Sequence, residues 1–186
     1  MSLPASVSDR VLTTISGAPV HIPDPDRLIH LQFRRFAGCP VCNLHLRSIV
    51  ARRAEIAAAN IREVVVFHSS ATELRTYTED IPLDLIADPT RELYREFGVE
   101  SAPRALLDPR GWPAILRGVT HAARTALRKQ QPAPPAKPEG GRLGLPADFL
   151  IAPDGQVLAS KHGQHVYDQW SVDELLALAR LSEPRR

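Results

Sequence analysis

Residues 27–47 read RLIHLQFRRFAGCPVCNLHLR and hold both cysteines of the chain, Cys39 and Cys42. In the first half Ile29, Leu31 and Phe33 alternate with His30, Gln32 and Arg34, the two-residue period of a strand. Pro40 then fits the first turn of a helix, where its missing N–H would have had no partner. From Pro40 to about Ala59 the pattern is helical, with Cys42, Leu46, Ile49, Val50, Ile56 and Ala57 on one stripe. The two cysteines therefore straddle a strand-to-helix junction. Cys39 stands just before the first turn, where unpaired amides and the helix dipole favour a thiolate. Helical phase predicts an exposed Cys39 and a buried, less ionised Cys42. Of Arg34 and Arg35, strand alternation lets at most one lie close to the pair.

Outward from this stretch, strands and helices alternate. VVVF (Val64 to Phe67) is an apolar run suited to a strand covered on both faces. Ser70 and Glu73 have the spacing of a capping box for a helix running to about Thr78. LDLIAD reads as a third strand, and Asp88, Pro89 and Gly98 as the cap, first residue and stop of another helix. Residues 99–144 break the pattern: a mixed helical stretch runs into QQPAPPAKPEGG, a Pro/Gly-rich surface loop. DFLIAPDGQVLAS then reads as a hairpin turning on Pro-Asp-Gly, and Ser171 with Glu174 as a second capping box, opening the last helix. The expected organisation is a leader at 1–27, one domain at 28–181 with an insertion at about 99–144, and a tail at 182–186.

The composition is that of an ordinary folded domain, with 44% hydrophobic and 24% charged residues in 186. A net charge of +2 offers no general attraction for nucleic acid or membrane, and the basic residues between Arg117 and Arg142 read as a local solvated patch. No stretch approaches the roughly 20 apolar residues of a membrane helix, and the N-terminus lacks a basic region followed by an apolar one. The expectation is a cytoplasmic protein whose thiols are kept reduced, so that a Cys pair is catalytic or metal-binding rather than a permanent staple.

Three readings of the pair stay open: two ordinary thiols, part of a metal site, or a redox dithiol. A zinc site would have to recruit His45, His68, His162 or His165, and nothing in their spacing demands it. Placement at a strand-to-helix junction favours redox chemistry. Cys39 would attack a disulfide or peroxide, and Cys42 would resolve the product. His45, three residues after Cys42, sits near the same helix face, where it could tune the thiols or simply border the core. No cofactor and no metal is expected.

The order β–α–β–α–β–α–insertion–β–β–α resembles the thioredoxin fold: a mixed central sheet with helices on both faces and a helical, Pro-rich insertion before the C-terminal hairpin. FRRFAGCPVCNLHLR, together with GLPADFLIAPDGQVLASKHG and DQWSVDELLALA, resembles the redoxin superfamily, in particular its alkyl hydroperoxide reductase/thiol-specific antioxidant branch. The resemblance implies Cys39 as the nucleophile and Cys42 as its partner; from their places beside the motif, Arg35 and His45 are the expected substrate-binding residues. It also implies a proline, commonly cis, before the strand facing the cysteines. Pro146 is the first choice and Pro103 the second. Gln32 and Phe36 stand where such peroxidases carry Pro and Thr or Ser, and DFLIAPDGQVLAS lacks their later Arg. Dithiol–disulfide exchange is thus the leading expectation, peroxide reduction the alternative, and a metal-binding or interaction module the third. Implied partners are a thioredoxin-like or low-molecular-weight thiol and, for the alternative activity, peroxides. A homodimer is plausible, with Trp112 and Trp170 as candidate interface residues.

Overall fold

A computed structural model of the chain describes residues 6–99, 101–102, 104–128, 132–138 and 140–182. Strand β3 (Leu28–Arg34) is the hub. It pairs in parallel with β4 (Ile61–Phe67), which pairs in parallel with β5 (Asp84–Ala87). On its other side β3 runs antiparallel to β6 (Ala147–Ile151), and β6 to β7 (Val157–His162). The five-stranded order β5-β4-β3-β6-β7 is the mixed sheet of the thioredoxin-like fold expected above.

The two faces of this sheet bury different chemistry. Ile29, Leu31 and Phe33 meet Val64, Val66 and Phe149 on one face, sealed by Tyr94 and Phe97 from around α4 (Glu92–Glu96). The other face lies under α1 (Pro40–Ala51), α3 (Ala71–Thr78) and α7 (Val172–Ser182). There the alternate residues of β3, expected merely to be polar, are fully buried. His30 bonds Glu63 (2.9 Å) and Asp148 (3.2 Å), and Arg34 donates to Asp148 at 2.7 Å and to Gln32 at 2.5 Å. A polar strand face is tolerated inside because two acids, Glu63 of β4 and Asp148 of β6, arrive opposite the basic groups of β3. Trp170 is buried beside His30, with ring centroids 5.7 Å apart, which removes it as an interface residue.

Three boundaries differ from expectation. The supposed leader contains a hairpin, β1 (Arg10–Thr13) with β2 (Pro19–Ile22), whose Val20 and Ile22 join the Phe33 cluster. The long helix after Pro40 breaks at Arg52, which leaves helical geometry (φ −114°, ψ 18°) and pairs with Glu55 and Asp173 before α2 (Arg53–Ala58) resumes. Asp88 does cap α4, accepting from the amides of Glu92 and Leu93 at 3.0 and 2.9 Å, but Pro89 lies in a turn and not in the helix. The capping boxes hold: Ser70 Oγ accepts from Glu73 N–H, and Ser171 and Glu174 bond reciprocally.

The insertion is closed at its base, where Ser101 bridges Gly144 and Ala102 N–H donates to Leu143 C=O at 2.8 Å. Inside it come α5 (Arg104–Leu107), a 3-10 turn at Pro109–Gly111 and α6 (Trp112–Leu127), followed by the Pro-rich segment. Helix α6 lies across the start of α1. A Cβ on Gly118 would come within 3.0 Å of the Pro40 backbone, so a glycine there lets the two helices touch.

Candidate active site

The end of β3 is held in place before the cysteines begin. The Tyr94 hydroxyl donates to the carbonyls of Arg34 and Val66, and Ala37 N–H donates to Ser69 Oγ at 3.0 Å. Gly38 adopts a left-handed φ of +72°, and a Cβ there would collide with the Tyr77 ring and Pro135. Glycine is thus required on two counts immediately before Cys39. Cys39 then caps α1, and its sulfur accepts from Cys42 N–H at 3.4 Å.

Both cysteines are free thiols, and both are buried. The expectation of an exposed Cys39 is therefore corrected: it is only 2% exposed. Helical phase describes α1 alone, whereas the cover comes from elsewhere in the chain. Ala114 of α6 and Leu145 pack into the same cluster as the two sulfurs, and Tyr77 closes over Gly38. The crevice shared by Cys39, Cys42, Asn43 and Tyr77 holds about 10 Å³, room for on the order of one water molecule.

The thiols nevertheless differ as expected. Burial pushes the Cys39 thiol up, but the Cys42 S–H donated to it, the Arg35 charge and the amides of Cys42 and Val41 outweigh burial and bring it down to about 6. Burial drives the Cys42 thiol well above its ordinary value, and the neighbouring Cys39 sulfur raises it further. Of the two arginines, Arg35 is the one that approaches, with Nη1 donating to Cys39 Sγ at 3.7 Å. The rest of its guanidinium donates to the Arg142 carbonyl and lies over the Phe36 ring, 5.4 Å from the centroid. Arg34 is committed to Asp148.

His45 is buried and faces the charged side of β3. Burial, then the charges of Arg34 and His30, hold it well below its usual pKa and so neutral. Its ring meets Tyr167 edge-on at 6.3 Å, and among the described residues its Nε2 has no hydrogen-bond partner. Pro146 follows Leu145 of the cysteine cluster, but the Leu145–Pro146 bond is trans; the cis X–Pro bond among the described residues is Ile22–Pro23. The Pro146 carbonyl accepts from Gly163 N–H at 2.8 Å, so it is engaged within the fold and not offered to a bound partner. Pro103 lies outside the described residues. His162 packs on Phe149, on the sheet face away from the cysteines. Among the described residues no three His, Cys, Asp or Glu side chains gather as a metal site.

Sequence reasoning missed Tyr77, Tyr94 and Asp148. Only Asp148 carried a signal, as a lone acid in an apolar strand beside the polar face of β3.

Comparison with known proteins adds the following. A family model described as AhpC/TSA antioxidant enzyme matches residues 48–165, a segment that begins beyond both cysteines. No curated protein sequence matches the chain. Among solved structures, peroxidoxin BcpB from Mycobacterium tuberculosis is similar at 18% identity, with a TM-score of 0.68 over 99% of each chain. Peroxiredoxin Q from Xanthomonas campestris aligns with a TM-score of 0.63 at 17% identity, over 98% of this chain and 96% of that one. A putative thiol:disulfide interchange protein, DsbE from Chlorobium tepidum, reaches 0.58 at 16% identity, over 98% and 97%. At these identities the likeness is one of fold.

Proposed function

The chain belongs to the AhpC/TSA antioxidant enzyme family, a family of thiol-based redox proteins, and from that premise we propose that it is a thiol oxidoreductase cycling Cys39 and Cys42 between dithiol and disulfide. The observation that carries this reading is the divergence of two adjacent buried thiols. Cys39 is acidified to about 6 by hydrogen bonds and Arg35, while Cys42 stays protonated.

In disulfide exchange, the Cys39 thiolate attacks one sulfur of the substrate disulfide and expels the other as a thiolate, leaving a mixed disulfide. Cys42, as its thiolate, then attacks Cys39 Sγ, closing the intramolecular disulfide and releasing the second substrate thiol. Consumption of the Cys39 charge removes one of the two influences that keep Cys42 protonated. Arg35, still in place, favours loss of that proton. The thiolate–thiol pair has given up two electrons and one proton, and an external thiol reductant, thioredoxin-like or of low molecular weight, must return them. Arg35 is the residue proposed to steady the anion at Cys39. A direct substrate contact by His45 or Pro146 has less support, because His45 is buried against Tyr167 and the Pro146 carbonyl is bonded to Gly163.

A second reading is peroxide reduction, favoured by the size of the crevice. A crevice of about 10 Å³, about one water in size, has to widen for either substrate, and by less for a small peroxide than for a protein disulfide. Here Cys39 S⁻ attacks one peroxide oxygen, the O–O bond breaks, and the departing oxygen leaves as water or an alcohol after taking a proton. Cys42 then condenses with the Cys39 sulfenic acid, releasing water and forming the same disulfide.

Stopped-flow oxidation by hydrogen peroxide, an organic hydroperoxide and a small disulfide separates the two. Wild type should form the Cys39–Cys42 disulfide with at least one of them. Cys42→Ser should accumulate a sulfenic acid with peroxide or a mixed disulfide with the disulfide. Turnover that survives Cys39→Ser would sink both readings.

A further inference from the structure

The geometry points to α6 as a membrane-surface helix that seats the protein on an anionic lipid bilayer. Its apolar residues do not all face the protein. Ala114 and Gly118 are buried against α1, but Trp112, Leu116, Val119 and Leu127 are exposed, from 50% at Val119 to 85% at Leu127. At 100° per residue these four, with Ala123 between them, form one continuous stripe along the outside of the helix. Scattered exposed apolar residues are ordinary; an aligned run with a tryptophan at one end marks a contact surface.

The charge beside the stripe identifies what it meets. From Trp112 to Pro138 the chain holds Arg117, Arg124, Arg128, Lys129 and Lys137 and no Asp or Glu; Arg110, before the helix, is paired with Asp108. Arg117, Arg124 and Arg128 share one flank of α6, where long side chains can reach headgroups while the stripe enters the acyl boundary. A second copy pairing through this helix would set arginine against arginine. A protein partner would have to be acidic along the whole length, whereas an anionic bilayer presents such a surface without a specific pattern.

A second observation points the same way. Val119 and Ala123 also line a cavity of about 360 Å³ running between α6 and the Pro-rich segment. Pro134 and Pro135 form its far wall, and Arg142 adds a further cation; Arg35, also in the lining, is committed to Cys39. A rigid partner would leave this hollow unfilled, while a lipid chain can fill it. The helix is 16 residues long and arginine-bearing, so it lies on a membrane and does not cross one. The near-neutral net charge, which argues against a membrane partner, conceals this segregation because the acids lie elsewhere in the chain.

The test is co-sedimentation of the full chain with vesicles of equimolar phosphatidylglycerol and phosphatidylcholine, and with vesicles of phosphatidylcholine alone. Binding should occur on the anionic vesicles, weaken with salt, and shift tryptophan emission to the blue as Trp112 leaves water. Leu116→Glu and Val119→Glu should abolish it. Arg117→Gln and Arg124→Gln should each weaken it about fivefold. Unchanged Cys39 alkylation would show that these variants keep their fold, independently of the proposed chemistry. Absence of binding to either vesicle would give the stripe to a protein partner and overturn the inference. So would a dimer in sedimentation equilibrium that Leu116→Glu dissociates, or vesicle binding that Leu116→Glu leaves intact.

Discussion

At Cys39 opposing influences compete over one proton. Burial opposes the thiolate, and the Cys42 thiol, the Arg35 guanidinium and two backbone amides favour it strongly enough to win. Because Arg35 is the only full charge among the favourable partners, Arg35→Leu should move the midpoint of Cys39 alkylation from about 6 toward about 8.5, the free-thiol value. An unchanged midpoint would show that hydrogen bonds alone suffice. This asymmetry was legible in the sequence, because position relative to a helix start sets which thiol meets the amides. The burial of Cys39 was not legible. It depends on Tyr77, Ala114 and Leu145, residues far away in sequence that no local pattern ties to the motif.

At the scale of elements, two pairings hold the site. The first is the polar side of β3 against β4 and β6. Arg34 and Asp148 are both fully buried, so Asp148→Ala leaves a buried guanidinium and His30 short of their counter-charge. Chemical denaturation should show a loss of about 3–5 kcal/mol, and a loss below about 1 kcal/mol would mean that water or Glu63 compensates. The second pairing is α6 on α1 through Gly118. Gly118→Leu should overpack the contact by about 1–3 kcal/mol and, by lifting α6 from Pro40, speed Cys39 alkylation. Slower or unchanged alkylation would show that α6 does not gate the thiol. The strands, and most helices, could be read from period and caps. The β1–β2 hairpin could not, because four-residue runs around Pro and Gly carry too little alternation. The identity of the polar side of β3 was equally hidden, since a strand shows which residues share a face but not what covers it.

For the molecule as a whole, pH dependence couples two distant groups. Burial pulls the His30 pKa down, yet Glu63 and Asp148 raise it to about 9 from 6.5. Its contribution to stability is therefore complete below pH 6.5 and lost as pH rises through about 9. Cys39 acts in the opposite sense over nearly the same window: its thiol is lowered from 9.0 to about 6, so its contribution is present above 9 and lost as pH falls through 6. The two contributions offset each other, and wild type should show a shallow thermal-stability profile between pH 6.5 and 9. Cys39→Ser removes one of them, and its melting temperature should fall with rising pH across that window. A flat profile in the variant would mean that His30 is not charged in the folded state. The resemblance of the chain to redoxins was visible from the motif and its framing elements. The exposed stripe of α6 was not, because in sequence its apolar residues cannot be told from core.

The central claim is that Cys39 is the acidified attacker and Cys42 the protonated resolver. The most direct test is the rate of iodoacetamide modification of each cysteine against pH in the reduced wild-type protein, resolved by mass spectrometry of peptides. Cys39 should react first, with a midpoint near 6 and a plateau above it, while Cys42 stays unmodified at neutral pH. A Cys39 midpoint near about 8.5, or earlier modification of Cys42, would contradict the account.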